Sequence, residues 1–305
     1  MPGLGTCILK VSAMNRNRFA AFSAILAAAL YALSAPLSKL FLQDVAPTVM
    51  ASLLYLGAGL GMMLLSLARR VLGHPSAEAR LTRKDLPFTL GMIALDILAP
   101  ILLMLGLERS TAANVSLLNS FEIVATSLIA LLIFRERISR RLWAAIGLIT
   151  LSTVLLSLED AESLRFSVGS IFVLLACCCW GLENNCTRML SYSDPQQIVV
   201  IKGLGSGAGS MLVAMLTGAP MPSASRVFPV LLLGFVAYGL SITFYIYAQR
   251  DLGAARTSAY YAVQPFIGVL LSLIFFRELP SAIFFIALAL MAAGTRLVAR
   301  DQQGA

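Results

Sequence analysis

The fold this sequence predicts is an all-α polytopic membrane protein, ten transmembrane helices arranged as two inverted five-helix repeats. An apolar composition, ten runs long enough to cross a bilayer and a duplication of one half on the other together predict it. Of 305 residues, 59% are hydrophobic and 12% charged, with a mean hydropathy of +0.86. Soluble chains carry about 25% charged residues and about 45–50% apolar ones, so a soluble enzyme is disfavoured at once. The 22 glycines and 12 prolines follow no period and form no low-complexity tract, which sets aside collagen-like and disordered chains.

About 20 predominantly apolar residues cross roughly 30 Å of hydrocarbon at about 1.5 Å per residue. The first run, at about 19–41, follows Lys10, Arg16 and Arg18 much as a secretory signal would. A signal's apolar core is only about 7–15 residues, so this longer run reads as an uncleaved first span behind a cytoplasmic segment, 1–18. Residues before Met14 carry no usable motif. Further spans follow at about 47–68, 86–107, 110–134, 142–158, 167–190, 195–217, 227–249, 254–276 and 280–299. The longest link, Arg69 to Asp85, is too short to hold a folded soluble domain. Lipid admits helices or closed barrels, and these runs lack the alternation of barrel strands.

Basic residues near span ends stay on the cytoplasmic side. With the N-terminus inside, 17 of the 23 Lys and Arg are cytoplasmic; Lys39, Arg109, Arg165, Arg226 and Arg277 lie outside, and Lys202 is left within a span. Both termini are expected in the cytoplasm. The net charge of +8 is then accounted for by topology, with no need of a nucleic-acid partner. Cys177, Cys178 and Cys179 are consecutive, point in different directions on a helix, and read as packing residues rather than a disulfide framework or metal site. His74 is the only histidine and lies in a polar loop, so no metal or other cofactor is expected.

The second half repeats the first. Phe134-Arg135-Glu136 matches Phe276-Arg277-Glu278, and that register sets Ala112-Ala113 on Ala254-Ala255 and Ser116 on Ser258. Leu56-Gly57-Ala58-Gly59-Leu60-Gly61 matches Leu204-Gly205-Ser206-Gly207-Ala208-Gly209, Tyr31 falls on Trp180, and Lys39 on Arg188. Each half, 19–158 and 167–299, holds five spans, an odd number, so the halves insert in opposite directions, as in many secondary transporters. Gly57 with Gly61, and Gly205 with Gly209, share helix faces that permit close approach of a neighbour.

Five plus five spans, an Arg-x-Ser-Ala-like segment opening spans 4 and 9, and the Phe-Arg-Glu that closes each together resemble the EamA domains of the drug/metabolite transporter superfamily, over about Phe19 to Arg300. That resemblance implies transport of small metabolites, often amino acids or related compounds, and fits a multi-pass protein of a bacterial plasma (inner) membrane.

Charges inside lipid are costly, at least about 2.5–3.5 kcal/mol each at a helix centre, so Asp96, Glu122, Glu183 and Lys202 should face the protein interior. Glu183 and Lys202 lie about seven residues from the same ends of consecutive spans, which suggests an ion pair, with Asn184 and Asn185 adding hydrogen-bonding capacity. The repeat pairs Tyr31 with Trp180, Asp96 with Tyr238 and Glu122 with Gln264, all near span centres. Aromatic rings and a few carboxylates or amides at one level suit a small amphipathic or cationic solute. Pro36, Pro100 and Pro265 are expected kinks.

The reading is a secondary active transporter of a small organic metabolite by alternating access, export being the favoured direction. Substrate is expected at the midplane on Tyr31, Asp96, Glu122, Trp180, Glu183, Asn184, Lys202, Tyr238 and Gln264. Glu122 is the first choice for contacting substrate or carrying a coupling proton. The sequence has no G-x-x-x-x-G-K-[ST] loop for direct ATP drive. An intramembrane enzyme using Asp96 and Glu122, and a membrane scaffold, are the alternatives. Oligomeric state stays open.

Overall fold

The computed structural model describes residues 4–72, 78–134, 139–160, 165–190, 192–248, 260–277 and 281–302. His74, Arg135-Glu136, Glu278, Ala254-Ala255 and Ser258 fall outside them.

Proline decides where the first span breaks. α1 (Leu4–Ala32) gives way at Leu33 to α2 (Ser34–Phe41), because Pro36 has no N–H for the Ala32 carbonyl and its ring crowds that turn. α3 (Pro47–Val71) and α4 (Leu86–Glu108) follow, each with proline in its first turn, where the missing N–H is harmless. A Thr82/Asp85 capping box opens the short 3-10 turn ahead of α4. Span 4, expected as one helix, is two: α5 (Ala112–Leu118) and α6 (Phe121–Phe134). At the break, Ser120, Glu122 and Ile123 donate to carbonyls three residues back. α7 (Arg140–Ser157) ends the first half.

A two-stranded hairpin, Leu158–Asp160 against Arg165–Phe166, joins the halves. α8 (Val168–Leu190) and α9 (Pro195–Leu216) follow. α10 (Ala224–Ala248) contains a π-helical stretch, Phe235–Leu240. α11 (Gln264–Phe276) and α12 (Ala282–Gln302) end the described chain. The turn at 262–263 that precedes α11 repeats the α5–α6 break, and Pro265 accounts for it by denying the Tyr261 carbonyl a partner. Pro100, by contrast, is accommodated inside an uninterrupted α4.

Six helical stretches are long and apolar enough to span a membrane, and α7, α11 and α12 add shorter apolar segments. With α5 and α6 as one broken span, the described residues supply the ten expected. Large apolar side chains such as Leu64, Leu132, Leu216 and Phe228 are exposed, as lipid-facing residues are.

α3 and α9, corresponding spans of the two halves, pack along one another at the centre. A Cβ on Gly59 would lie 2.6 Å from the Leu204 nitrogen, and one on Gly203 would lie 2.4 Å from the Gly59 nitrogen. Backbone meets backbone there, so only glycine fits. The expected faces sit to either side of this contact: Gly57 and Gly61 meet Leu231 and Phe235 of α10, while Gly205 and Gly209 meet Ile93 and Ile97 of α4. Exchanging α3 for α9 exchanges α10 for α4, which is the arrangement an internal two-fold imposes.

Candidate functional site

The interior packing brings four of the buried polar residues together. α4 carries Asp96, α8 carries Trp180 and Glu183, and α9 carries Lys202. The Lys202 ammonium lies 3.0 Å from Asp96 Oδ2 and 2.9 Å from Glu183 Oε1. Asp96, Glu183 and Lys202 are 0%, 2% and 6% exposed. The expected Glu183–Lys202 pair is therefore a triad, with Asp96 as the member that sequence spacing missed. Asp96 Oδ1 also accepts from the Tyr55 hydroxyl at 2.9 Å and from Trp180 Nε1 at 3.2 Å, and Thr187 Oγ1 donates to Glu183 Oε1. Three donors hold the Asp96 carboxylate in place, one of them the Lys202 ammonium.

Glu122, at the start of α6, belongs to a different group. Asn184 Nδ2 donates to its Oε1 at 2.6 Å, and α8 comes close enough to set this contact because Gly181 lies against the backbone of Ala125 and Thr126. Asp96 and Glu122, the pair the enzymatic alternative needs, are thus committed to separate partners. Among the described residues no Lys or Arg stands within ion-pair distance of Glu122.

The aromatic residues form a chain across the interior. Tyr238, in the π-helical stretch of α10, meets Tyr31 edge-on at 5.4 Å and Tyr55 at 5.3 Å between ring centroids. Ser34 Oγ donates to its hydroxyl at 3.2 Å. The chain continues from Tyr31 to Tyr261 at 6.4 Å and from Tyr261 to Tyr245 at 4.9 Å. Tyr31, Glu122 and Tyr261 are half-buried. Tyr238 and Gln264 are buried, at 1% and 7% exposure, and Gln264 stands at the first position of α11, as Glu122 stands near the head of α6.

Tyr55, Asn119, Tyr245 and Tyr261 were not singled out by sequence. Asn119 and Tyr261 occupy equivalent places in the repeat register, and Tyr245 is seven residues after Tyr238 on one helix face, so a signal existed for three. Tyr55 stands alone in an apolar run and had none. The described residues contain no His, Cys, Asp and Glu group able to hold a metal. Cys177 is buried, its thiol 3.7 Å from the Leu118 carbonyl, while Cys178 is exposed.

The two ends of the bundle are tied by loops. At one end, Tyr192 donates to Asp85, the Asp194 nitrogen donates to the Ala79 carbonyl at 2.8 Å, and the Leu81 nitrogen donates to Gln197 Oε1 at 3.0 Å. The Asp85 carboxylate holds the Tyr192 phenol above its usual range, chiefly through that hydrogen bond. At the other end, Arg226 pairs with Asp44 at 2.7 Å, and Lys39 Nζ donates to the Leu107 and Glu108 carbonyls at 2.6 and 2.9 Å.

Comparison with known proteins agrees with this architecture. The model of the EamA-like transporter family matches residues 18–158 and again 167–300. An uncharacterized transporter from Methanothermobacter thermautotrophicus is 27% identical over 282 residues, covering 87% of this chain and 82% of its own. A solved crystal structure superposes with a TM-score of 0.65 over 93% of this chain and 97% of its own, at 20% identity, a likeness of fold.

Proposed function

The chain belongs to the EamA-like transporter family and is a multi-pass membrane transporter of the drug/metabolite type; from that premise we propose that it moves a small organic metabolite, such as an amino acid or a related amphipathic compound, by alternating access. The substrate sits between the repeats, 19–158 and 167–299, on Tyr31, Glu122 and Asn184, beside the layer formed by Asp96, Trp180, Glu183, Lys202, Tyr238 and Gln264. Both termini are cytoplasmic, the protein resides in a bacterial plasma membrane, and export is the direction of work. The Lys and Arg distribution supports that orientation.

One observation carries the reading. Glu122 is half-buried and has a neutral amide rather than a cation as its hydrogen-bond partner. A carboxylate in that setting is available to a proton or a substrate. The groups that bear on it electrostatically are Glu183 and Cys177 of α8, Lys202 of α9, Tyr31 of α1 and Tyr261 ahead of α11. The buried triad holds α4, α8 and α9 together and sets the local potential.

The test is uptake into proteoliposomes under an imposed pH gradient. Glu122→Gln is expected to abolish the pH-dependent component while leaving the protein monodisperse; an unchanged response to the gradient removes Glu122 from coupling.

A further inference from the structure

Basic residues at the two ends of the bundle differ in what answers their charge. At the end tied through Arg226 and Asp44, Lys39 donates to the Leu107 and Glu108 carbonyls, and Arg109 pairs with Glu108 at 2.7 Å. At the end tied through Asp85 and Tyr192, Arg70, Arg80, Arg83 and Lys84 are exposed and form no ion pair among the described residues. Asp85 is buried and already accepts from Thr82 and Tyr192. That leaves one other acid, Glu78, in a stretch from Arg69 to Asp85 that carries five cations.

Their depth is set by the helices that bear them. The Tyr55–Asp96 hydrogen bond, 2.9 Å long, fixes the register of α3 against α4 near mid-span. Counted from it at about 1.5 Å per residue, Arg70 at the tail of α3 and Arg83 and Lys84 just ahead of α4 all lie about 20 Å away. The hydrocarbon edge stands about 15 Å from the midplane and the headgroups reach about 20–22 Å, so these cations lie at the level of lipid phosphates. Val71, Leu86 and Leu90, at or just inside that level, are 80%, 53% and 56% exposed. Unpaired cations at phosphate depth, next to exposed apolar side chains, fit a headgroup and its acyl chains together, which a soluble anion does not use.

The same stretch ties the bundle. Ala79 accepts from the Asp194 nitrogen, the Leu81 nitrogen donates to Gln197, and Thr82 and Asp85 form the capping box. Arg80, Arg83 and Lys84 therefore alternate with the residues that anchor the segment. We infer that this face binds an anionic phospholipid, its phosphate on Arg70, Arg80, Arg83 and Lys84, and that the bound lipid steadies the tie between residues 78–85 and the head of α9. Binding is read without transport, so its failure leaves the transporter reading untouched.

Native mass spectrometry of the full chain, titrated separately with dioleoyl phosphatidylglycerol and dioleoyl phosphatidylcholine, tests it. Phosphatidylglycerol is expected to bind about tenfold or more tightly. Combined Arg70→Gln, Arg80→Gln, Arg83→Gln and Lys84→Gln should erase that preference at the wild-type melting temperature, whereas Arg140→Gln with Arg141→Gln, at the exposed head of α7, should keep it. Two readings need no variant. Raising ammonium acetate from about 50 to about 500 mM should reduce the preference several-fold by screening. In nanodiscs, exchange of the Leu81 and Asp194 amides should be about threefold or more slower in phosphatidylglycerol than in phosphatidylcholine. Equal affinity for the two lipids, a preference that survives the quadruple variant or high salt, or one lost in the α7 variant overturns the assignment. So does equal amide exchange in both lipids, or displacement of the lipid by equimolar inorganic pyrophosphate, which would mark a soluble-anion site.

Discussion

Lys202 neutralises two acids from different helices, and this makes it the residue on which the interior depends most. Lys202→Met keeps much of the side-chain volume but leaves Asp96 and Glu183 buried together without a cation. Breaking a buried ion pair from one side costs about 3–5 kcal/mol. The melting temperature of purified Lys202→Met should fall steeply, and adding Asp96→Asn should recover part of the loss; a double variant no more stable than the single one would show that charge is not the cause. The Glu183–Lys202 contact was legible because both residues sit at one depth in consecutive spans. Asp96 was not, since its approach to Lys202 depends on which faces of α4 and α9 meet. The contacts of Ile93 and Ile97 with Gly205 and Gly209 decide that, and a single sequence does not reveal them.

At the scale of elements, glycine and proline govern the arrangement. Gly59→Ala places a methyl 2.6 Å from the Leu204 nitrogen, and neither α3 nor α9 can withdraw without opening the centre of the bundle. That variant should elute as aggregate in size-exclusion chromatography, whereas Gly147→Ala, with nothing within 4 Å of the added carbon, should elute as the wild type. Tolerance of Gly59→Ala would mean that α3 and α9 are not in backbone contact at this point. The prolines were informative to different degrees. Pro36 and Pro265 each coincide with a break a few residues earlier, where the carbonyl four residues back has no donor. Pro100 carries no break, and the α5–α6 break has no proline at all. Asn119 and Ser120, which compete for backbone hydrogen bonds, stand there instead, and only the repeat register marked the position.

Across the whole molecule, corresponding loop pairs close both ends of the bundle. The end tied through Asp85, Tyr192, Gln197 and Asp194 uses several hydrogen bonds, two of them from backbone amides. The other end relies on the half-exposed Arg226–Asp44 pair, worth no more than about 1 kcal/mol, and on Lys39. Alternating access requires each end to open in turn. Cysteine pairs replacing Asp85 with Tyr192, or Asp44 with Arg226, in a background without native cysteines should each stop transport when oxidised and restore it when reduced. Transport that persists through either cross-link would show that the loops do not gate. The count of spans and their inversion were readable from apolar length, Lys and Arg placement and the odd number of spans per half, because lipid constrains those quantities directly. The interior contacts of Glu122 with Asn184 and of the tyrosines with one another were not readable, because these side chains meet only in the folded bundle. The central claim, one interior site reached alternately from either side through Glu122, is tested most directly by counterflow. Proteoliposomes preloaded with excess unlabelled solute should transiently accumulate the labelled form, and Glu122→Gln should abolish that overshoot; simple equilibration without overshoot in the wild type, or an undiminished overshoot in the variant, would contradict it.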